Sequence, residues 1–220
     1  IVWEQTESGL TDGVVTNAKL ADMPANTIKG SIAGGEPDDL IASEGRQVLG
    51  LSYGLQTIWV PAAGMVGYVG SAPAQSTYSN GNFHQIVFGF DQTTQEVVCV
   101  AIAMPKSWDK GNVFFIPYWT ATGGSGGVVW TFFAEAISDN ESLATTLPNN
   151  VSSIDTFQNA NRLHVGPITS GFTPDASPAN DDLILFDIAR SPAHGSDTLT
   201  ADALLLGVKI LYSTNAGNDS

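Results

Sequence analysis

Residues 108–137 constrain the fold of this chain most, because they contain two long apolar segments. We predict strands over 112–120 and 127–137, joined as a hairpin by a glycine-rich turn at 123–127. Both segments carry apolar side chains at odd and even positions, whereas an antiparallel sheet usually leaves one face polar. We therefore expect the chain's second sheet to cover one face and a neighbouring copy of the chain to cover the other. The residues expected at this subunit contact are Phe114, Ile116, Tyr118, Trp130 and Phe132.

Strand signals recur from residue 56 onward, and turn residues such as Asn80-Gly81 separate them. Within this block only residues 139–144 favour a helix, of one or two turns. The pattern predicts an all-β chain whose residues 51–220 form an antiparallel, jelly-roll-like β-sandwich. The predicted strands are 57–65, 85–90, 96–104, 112–120, 127–137, 151–156, 162–165, 182–190 and 203–212.

Residues 1–50 differ in character from the rest and carry too little apolar surface for a core of their own. We predict a mostly extended N-terminal arm or linker that contains one short helix at 38–50. Pro37 precedes this helix, acidic residues fill its first turn and Gly50 follows its apolar end.

Charge and composition exclude several classes of function. The chain has 22 acidic and 8 basic side chains, and the basic ones are scattered singly, which excludes nucleic acid as a partner. The apolar runs fall short of the roughly 20 residues that a spanning helix needs, so we expect no membrane insertion. Cys99 is the only cysteine, which excludes an intrachain disulfide and predicts a small buried hydrophobe.

The catalytic motifs in the sequence are weak, so we expect no enzyme and no catalytic residues. Residues 123–127 fit the G-x-S-x-G pattern, but a predicted strand follows Ser125 where a hydrolase needs a helix. We interpret this segment as a flexible hairpin tip. His84, His164 and His194 stand far apart without metal-ligand spacing. No motif places a carboxylate pair, so a carbohydrate-active enzyme is the weaker alternative.

Acidic side chains offer two further interpretations. On strand 182–190, Asp187 lies on the face opposite to Ile184, and we expect Arg190 or Lys209 to pair with it if it is buried. Because no calcium-binding spacing is present, we favour solvated loop acids. A calcium site is the alternative. The loop acids near the C-terminal strands are Asp175, Asp181, Asp182, Asp197 and Asp202.

Loop aromatics are the candidate binding residues. The CH faces of sugar rings pack on aromatic surfaces as other apolar groups do. Tyr78 and Trp108 lie next to predicted turns, so we expect these two to be exposed and available to a ligand.

Two sets of residues carry a resemblance to a known class of protein. LTDGVVTNAKLADMPANTIKG at 10–30 and AGGEPDDL at 33–40 resemble the linking segments that precede the terminal domains of tailed-bacteriophage fibres. Five short stretches are similar to the β-sandwich domain that ends such virion structural proteins: WDKGNV at 108–113, GGVVW at 126–130, LHV at 163–165, DTL at 197–199 and ALLLGV at 203–208. The resemblance implies a component of the virion surface, commonly a homotrimer, with other virion proteins as partners and no catalytic residues.

We therefore expect a non-enzymatic bacteriophage virion structural protein, an oligomeric fibre or spike. Its outward β-sandwich would bind a glycan or protein of the host surface through several weak sites acting together. The alternative is a capsid decoration (cement) protein whose N-terminal arm grips neighbouring subunits and stabilises the shell.

Overall fold

The computed structural model describes residues 28–30, 38–40, 44–45, 54–144 and 147–215. The chain divides into two compact units, 1–52 and 53–220. We describe each unit by itself. Among the described residues, no helix combines the length and apolar character needed to cross a membrane.

The N-terminal unit contains a short antiparallel pair, β1 (Ile28–Gly30) and β2 (Asp38–Leu40). The helix predicted at 38–50 is therefore wrong at its first turn, because the backbone of β2 pairs with β1 instead. Glu44 and Gly45 do have helical backbone. The other residues of the predicted helix lie outside the described ones.

Among the described residues of the larger unit, the regular secondary structure is strand apart from one 3₁₀ turn at Ala62–Gly64. Its strands are β3 (Gln56–Pro61), β4 (Val66–Gly67), β5 (Ala74–Asn80), β6 (Phe83–Phe90), β7 (Val97–Ala103), β8 (Trp108–Thr120), β9 (Gly127–Ile137), β10 (Asn150–Thr156), β11 (His164–Val165), β12 (Leu183–Arg190) and β13 (Ala203–Thr214).

These strands form two antiparallel sheets. Sheet I has the order β10-β9-β12-β7-β4, and sheet II has the order β11-β8-β13-β6-β5 with β3 also paired to β13. Apolar residues at alternate positions of both sheets face inward and make one shared core. The predicted fold, an all-β antiparallel sandwich of jelly-roll type, is confirmed.

The two apolar segments at 112–120 and 127–137 do not pair as a hairpin. Strand β8 belongs to sheet II and β9 to sheet I, so the link between them crosses from one sheet to the other. The two strands meet through side chains in the core, where the rings of Phe115 and Phe132 stack at 4.7 Å. Trp130 and Phe132 are fully buried there, which corrects their predicted role as subunit contacts. Each sheet covers the inner face of the other.

Phe114, Ile116 and Tyr118 lie on the outer face of sheet II, where they are half-buried. Their alternation with the core residues of β8 is as expected for a strand. Their role at a subunit contact stays a prediction.

The glycine-rich link is held in place, contrary to the flexible tip expected from sequence. Gly127 N–H donates to Thr198 Oγ1 at 2.9 Å, and the N–H groups of Thr198 and Leu199 donate back to Gly127 O. Ser125 N–H donates to Thr200 Oγ1, and Thr200 N–H donates to Ser125 O. These bonds fix the link against the loop that precedes β13.

The helix predicted at 139–144 is also wrong, since this segment is a turn and irregular chain. Ser138 N–H donates to Glu141 Oε2 and Glu141 N–H donates to Ser138 O. Asn140 adopts a left-handed backbone with φ of 64°. A left-handed residue ends helical backbone, so this local bonding replaces the helix.

Candidate functional site

A groove on the outer face of sheet II combines aromatic rings with polar side chains. Its volume is about 410 Å³, within the roughly 300–1,000 Å³ typical of small-ligand sites. We call it the aromatic groove, and its lining residues are Tyr78, Asn80, Phe83, Thr120, Asn161, Arg162, Leu163 and Leu206.

The β5–β6 hairpin supplies the aromatic wall. Tyr78 pairs with Gln85, and Asn80 pairs with Phe83 across the turn. Because side chains alternate along a strand, Tyr78, Asn80 and Phe83 all point to the outer face. The rings of Tyr78 and Phe83 lie 6.2 Å apart at 65°, and Phe83 is 47% exposed. This wall therefore offers apolar ring surface to a ligand.

Hydrogen bonds hold the polar end of this wall. The Tyr78 hydroxyl donates to Asn161 Oδ1 at 3.0 Å, and Asn80 Nδ2 donates to the Tyr78 oxygen at 3.3 Å. Asn161, with a left-handed φ of 58°, lies in the segment that precedes β11. The bonds fix the Tyr78 ring in one orientation across two separate segments of the chain.

Thr120 brings an unpaired hydroxyl to the groove. Its side chain is 2% exposed, and its Oγ1 has no hydrogen-bond partner among the described residues. A buried polar atom without a partner costs about 1–3 kcal/mol.

A second aromatic pair lies beside the groove. Trp59 and Tyr118 are in edge-to-face contact at 5.1 Å, and Lys209 Nζ lies 5.2 Å from the Tyr118 ring centre. The Trp59 ring covers Gly207, where a Cβ would lie 2.5 Å from Trp59 Cη2. Because Gly207 follows Leu206 of the groove, this pair extends the aromatic surface along sheet II.

The two predicted binding residues have different positions. Tyr78 lines the aromatic groove, and its role in binding stays a prediction. Trp108 is only 2% exposed, which corrects the expectation that it is available to a ligand. Strand β8 begins at Trp108 rather than after it, and the indole packs into the core.

Sequence reasoning missed Phe83, Thr120 and Arg162 as groove residues. The turn signal at Asn80-Gly81 could have identified Phe83, because a hairpin at this turn places Phe83 on the same face as Tyr78. The approach of Thr120 and Arg162 depends on strands far apart in sequence, which no local pattern reveals.

The loop acids do not gather into a metal site. Asp175 accepts from Asn149, Asp182 accepts from Ala179 N–H, and Asp197 pairs with Arg190. In the part of the chain that the structure describes, no three His, Cys, Asp or Glu side chains could hold a metal ion together.

Asp187 lacks the partner expected from sequence. Arg190 binds Asp197, and Lys209 lies over Tyr118 on sheet II, so neither cation pairs with Asp187. Asp187 lies on the outer face of sheet I and is 8% exposed. Its Oδ1 has no hydrogen-bond partner among the described residues. Burial raises the pKa of Asp187 from 3.8 to about 6.

Comparison with known proteins gives only distant structural likeness. No protein-family model and no curated protein matches the chain. A family 11 carbohydrate-binding module from Clostridium thermocellum, solved with a mixed-linked tetrasaccharide, has 6% identity and a TM-score of 0.41 and covers 74% of this chain and 99% of its own.

Two further solved structures are similar to the chain at the same level. A CBM28 module specific for non-crystalline cellulose has 12% identity, a TM-score of 0.36 and coverages of 69% and 85%. TmCBM61 in complex with galactotriose has 10% identity, a TM-score of 0.31 and coverages of 72% and 88%. Because each TM-score lies below 0.5, we infer function from the chain's own residues.

Proposed function

We propose that this protein is a non-enzymatic attachment protein of a bacteriophage particle, and that its aromatic groove binds a glycan of the host surface. The observation that carries the proposal is the groove itself. It places the Tyr78 and Phe83 rings beside the exposed polar side chains of Asn80 and Arg162.

This combination suits a sugar because a pyranose ring has an apolar CH face and a rim of hydroxyls. The exposed Phe83 ring offers a surface for the CH face, as aromatic rings do for other apolar groups. The amide of Asn80, which is exposed at the groove, offers hydrogen bonds to ring hydroxyls. Arg162 is exposed at the same groove and adds charged donors.

The virion setting rests on the resemblance of residues 10–40 to phage fibre linkers. A groove of this kind binds one sugar weakly, and several linked copies raise the overall affinity without any new contact. A homotrimer would supply such copies, and it belongs to the same proposal.

The binding function is tested by screening the full chain against an oligosaccharide array and measuring the best ligand by calorimetry. Phe83→Ala should remove most of the binding, and Asn80→Ala, which removes the exposed amide, should weaken it about tenfold. Leu143→Ala is the control, because Leu143 is also an exposed apolar side chain but lies outside this groove. Binding that is equal in Phe83→Ala and the parent protein would refute the groove as the site.

The particle setting needs its own measurement. The purified chain should compete with phage for adsorption to host cells, and the Phe83→Ala chain should compete poorly. Light scattering of the purified chain should give the mass of a trimer at micromolar concentration. A stable monomer would remove the trimer from the proposal, and failure to compete would remove host attachment.

A further inference from the structure

A second pocket lies on the outer face of sheet I and is centred on Asp187. Its volume is about 290 Å³, and Tyr68, Cys99, Phe133 and Leu185 are among its lining residues. We call it the acidic pocket. We propose that the acidic pocket binds a primary ammonium group, held by the Asp187 carboxylate between aromatic side chains.

The strand register of sheet I builds this arrangement. Asp187 of β12 lies directly between Cys99 of β7 and Phe133 of β9. Residues opposite each other on neighbouring strands point to the same face. The carboxylate therefore stands beside a thiol and an aromatic ring, and Ser71 and Gln95 line the pocket around it together with apolar side chains.

The charge of Asp187 is unmatched within its surroundings. Oδ1 accepts no hydrogen bond from any described residue, and no Lys, Arg or His lines the acidic pocket. At pH 7 to 8 the carboxyl group is still mostly ionised, because its raised pKa of about 6 lies below that range. A buried anion without a partner is costly, and a cation supplied from outside relieves the cost.

The form of the pocket favours an ammonium group over other ligands. Tyr68 and Phe133 lie on its walls, and aromatic faces attract cations that approach within about 6 Å. A divalent metal ion needs several oxygen ligands, whereas Asp187 is the one carboxylate among the lining residues. An anion is disfavoured, both by Asp187 and by the net charge of −14 on the chain.

Two sources can supply a primary ammonium group: an amino sugar and a lysine side chain. Glucosamine and Nα-acetyl-lysine amide are the probes for these two sources. N-acetylglucosamine is the neutral match for glucosamine, since it has the same ring without the charge. Tighter binding of either amine identifies its source and supports the proposal.

The experiment is a titration of the full chain with each probe at pH 8, in which backbone amide chemical shifts measured by NMR report binding. We expect the two amines to move the signals of Cys99 and Phe133, and N-acetylglucosamine to leave them unchanged. Asp187→Asn keeps the shape of the side chain and should weaken amine binding about tenfold or more. The Cys99 and Phe133 signals report the acidic pocket alone, so the outcome is independent of the proposed glycan site. Val165→Ala, at an exposed residue outside both sites, should leave these shifts unchanged.

A second measurement needs no variant. Carbon-13 NMR of the Asp187 carboxyl should show its pKa fall when an amine saturates the pocket, because a bound cation favours the ionised form. Equal binding of the amine to Asp187→Asn would overturn the proposal. Equal shifts of the Cys99 and Phe133 signals with N-acetylglucosamine, or no amine-induced shifts with an unchanged Asp187 pKa, would overturn it too.

Discussion

Arg190 and Asp197 form an ion pair sealed inside the sandwich, with Arg190 Nη2 2.8 Å from Asp197 Oδ1 and side chains 0% and 1% exposed. Arg190 Nε–H also donates to the Asp197 carboxylate. The other three guanidinium hydrogens donate to the backbone carbonyls of Phe90, Leu199 and Ala201. Arg190 thus satisfies its donors and ties the end of β12 to the loop that precedes β13.

Breaking this pair should strongly destabilise the fold. Asp197→Asn leaves the Arg190 charge buried without its partner, and we expect the free energy of unfolding to fall by about 3–5 kcal/mol. Urea denaturation measures this change. The control is Lys106→Ala, which removes an exposed pair with Asp181 at 3.8 Å and should cost less than about 1 kcal/mol. Similar losses in the two variants would contradict the role of the buried pair.

The sequence places Arg190 on a face of its strand, but the partner expected for it, Asp187, is wrong. Alternation along β12 places Arg190 on the same face as Ile184 and Phe186, and that face is indeed the core. The partner of Arg190 is not predicted, because Asp197 lies in an irregular loop whose path depends on the whole sandwich. Periodicity reports which face a side chain occupies, but it does not report what meets it there.

The same limit explains the error about β8 and β9. Two apolar segments joined by a glycine-rich turn predict a hairpin from local signals alone. Whether the second strand pairs with the first or crosses to the opposite sheet is decided by long-range contacts. Strand β5 was missed for a different reason: its sequence AQSTYSN has no apolar alternation, and β6 alone defines its register.

The stacked rings of Phe115 and Phe132 give a test of the crossing. Phe132→Ala should leave a cavity between the two sheets and lower the free energy of unfolding by about 3–5 kcal/mol. Ile154→Ala on β10 is the control, because Ile154 is in the same sheet but 45% exposed. Thermal and urea unfolding measure both variants. A mild effect of Phe132→Ala would mean that the sheets do not meet at these rings.

Alanine substitutions at two positions of the glycine-rich link should have different effects on stability. Gly126 has a φ of 107°, and a Cβ there would lie 2.3 Å from Thr198 O, so Gly126→Ala should destabilise the protein. A Cβ at Gly123 would meet nothing within 4 Å, and Gly123→Ala should be tolerated. We expect a loss of about 1–3 kcal/mol for Gly126→Ala alone. If both variants unfold at the same urea concentration, the link is not clamped by the 198–200 loop.

The aromatic groove could be predicted only in part. Tyr78 was identified from its place beside a turn, which is a local signal. Thr120 and Arg162 are joined to it by the pairing of β8 with β13 and by the loop before β11. Sequence alone gives neither relationship. The sequence shows that Asp187 lies inside a strand. It does not show that Arg190 and Lys209 are engaged elsewhere and so cannot pair with this carboxylate.

The pH dependence of stability should reveal the unpaired Asp187. Burial raises its pKa from 3.8 to about 6, so the folded protein holds this proton more tightly than the unfolded chain does. The contribution of Asp187 to stability is therefore present below pH 3.8 and is lost as the pH rises to about 6. Asp187→Asn has no such titration, and above that range it should be more stable than the parent protein by up to about 3 kcal/mol.

Urea unfolding of both proteins at pH 4 and pH 8 isolates the effect, since the other carboxyl groups titrate alike in the two chains. Asp139→Asn, at an exposed turn, is the control for the change from carboxylate to amide itself. A parent protein that is the more stable of the two at pH 8 would mean that Asp187 has a partner in solution, and the acidic pocket would then have no free charge to offer a ligand.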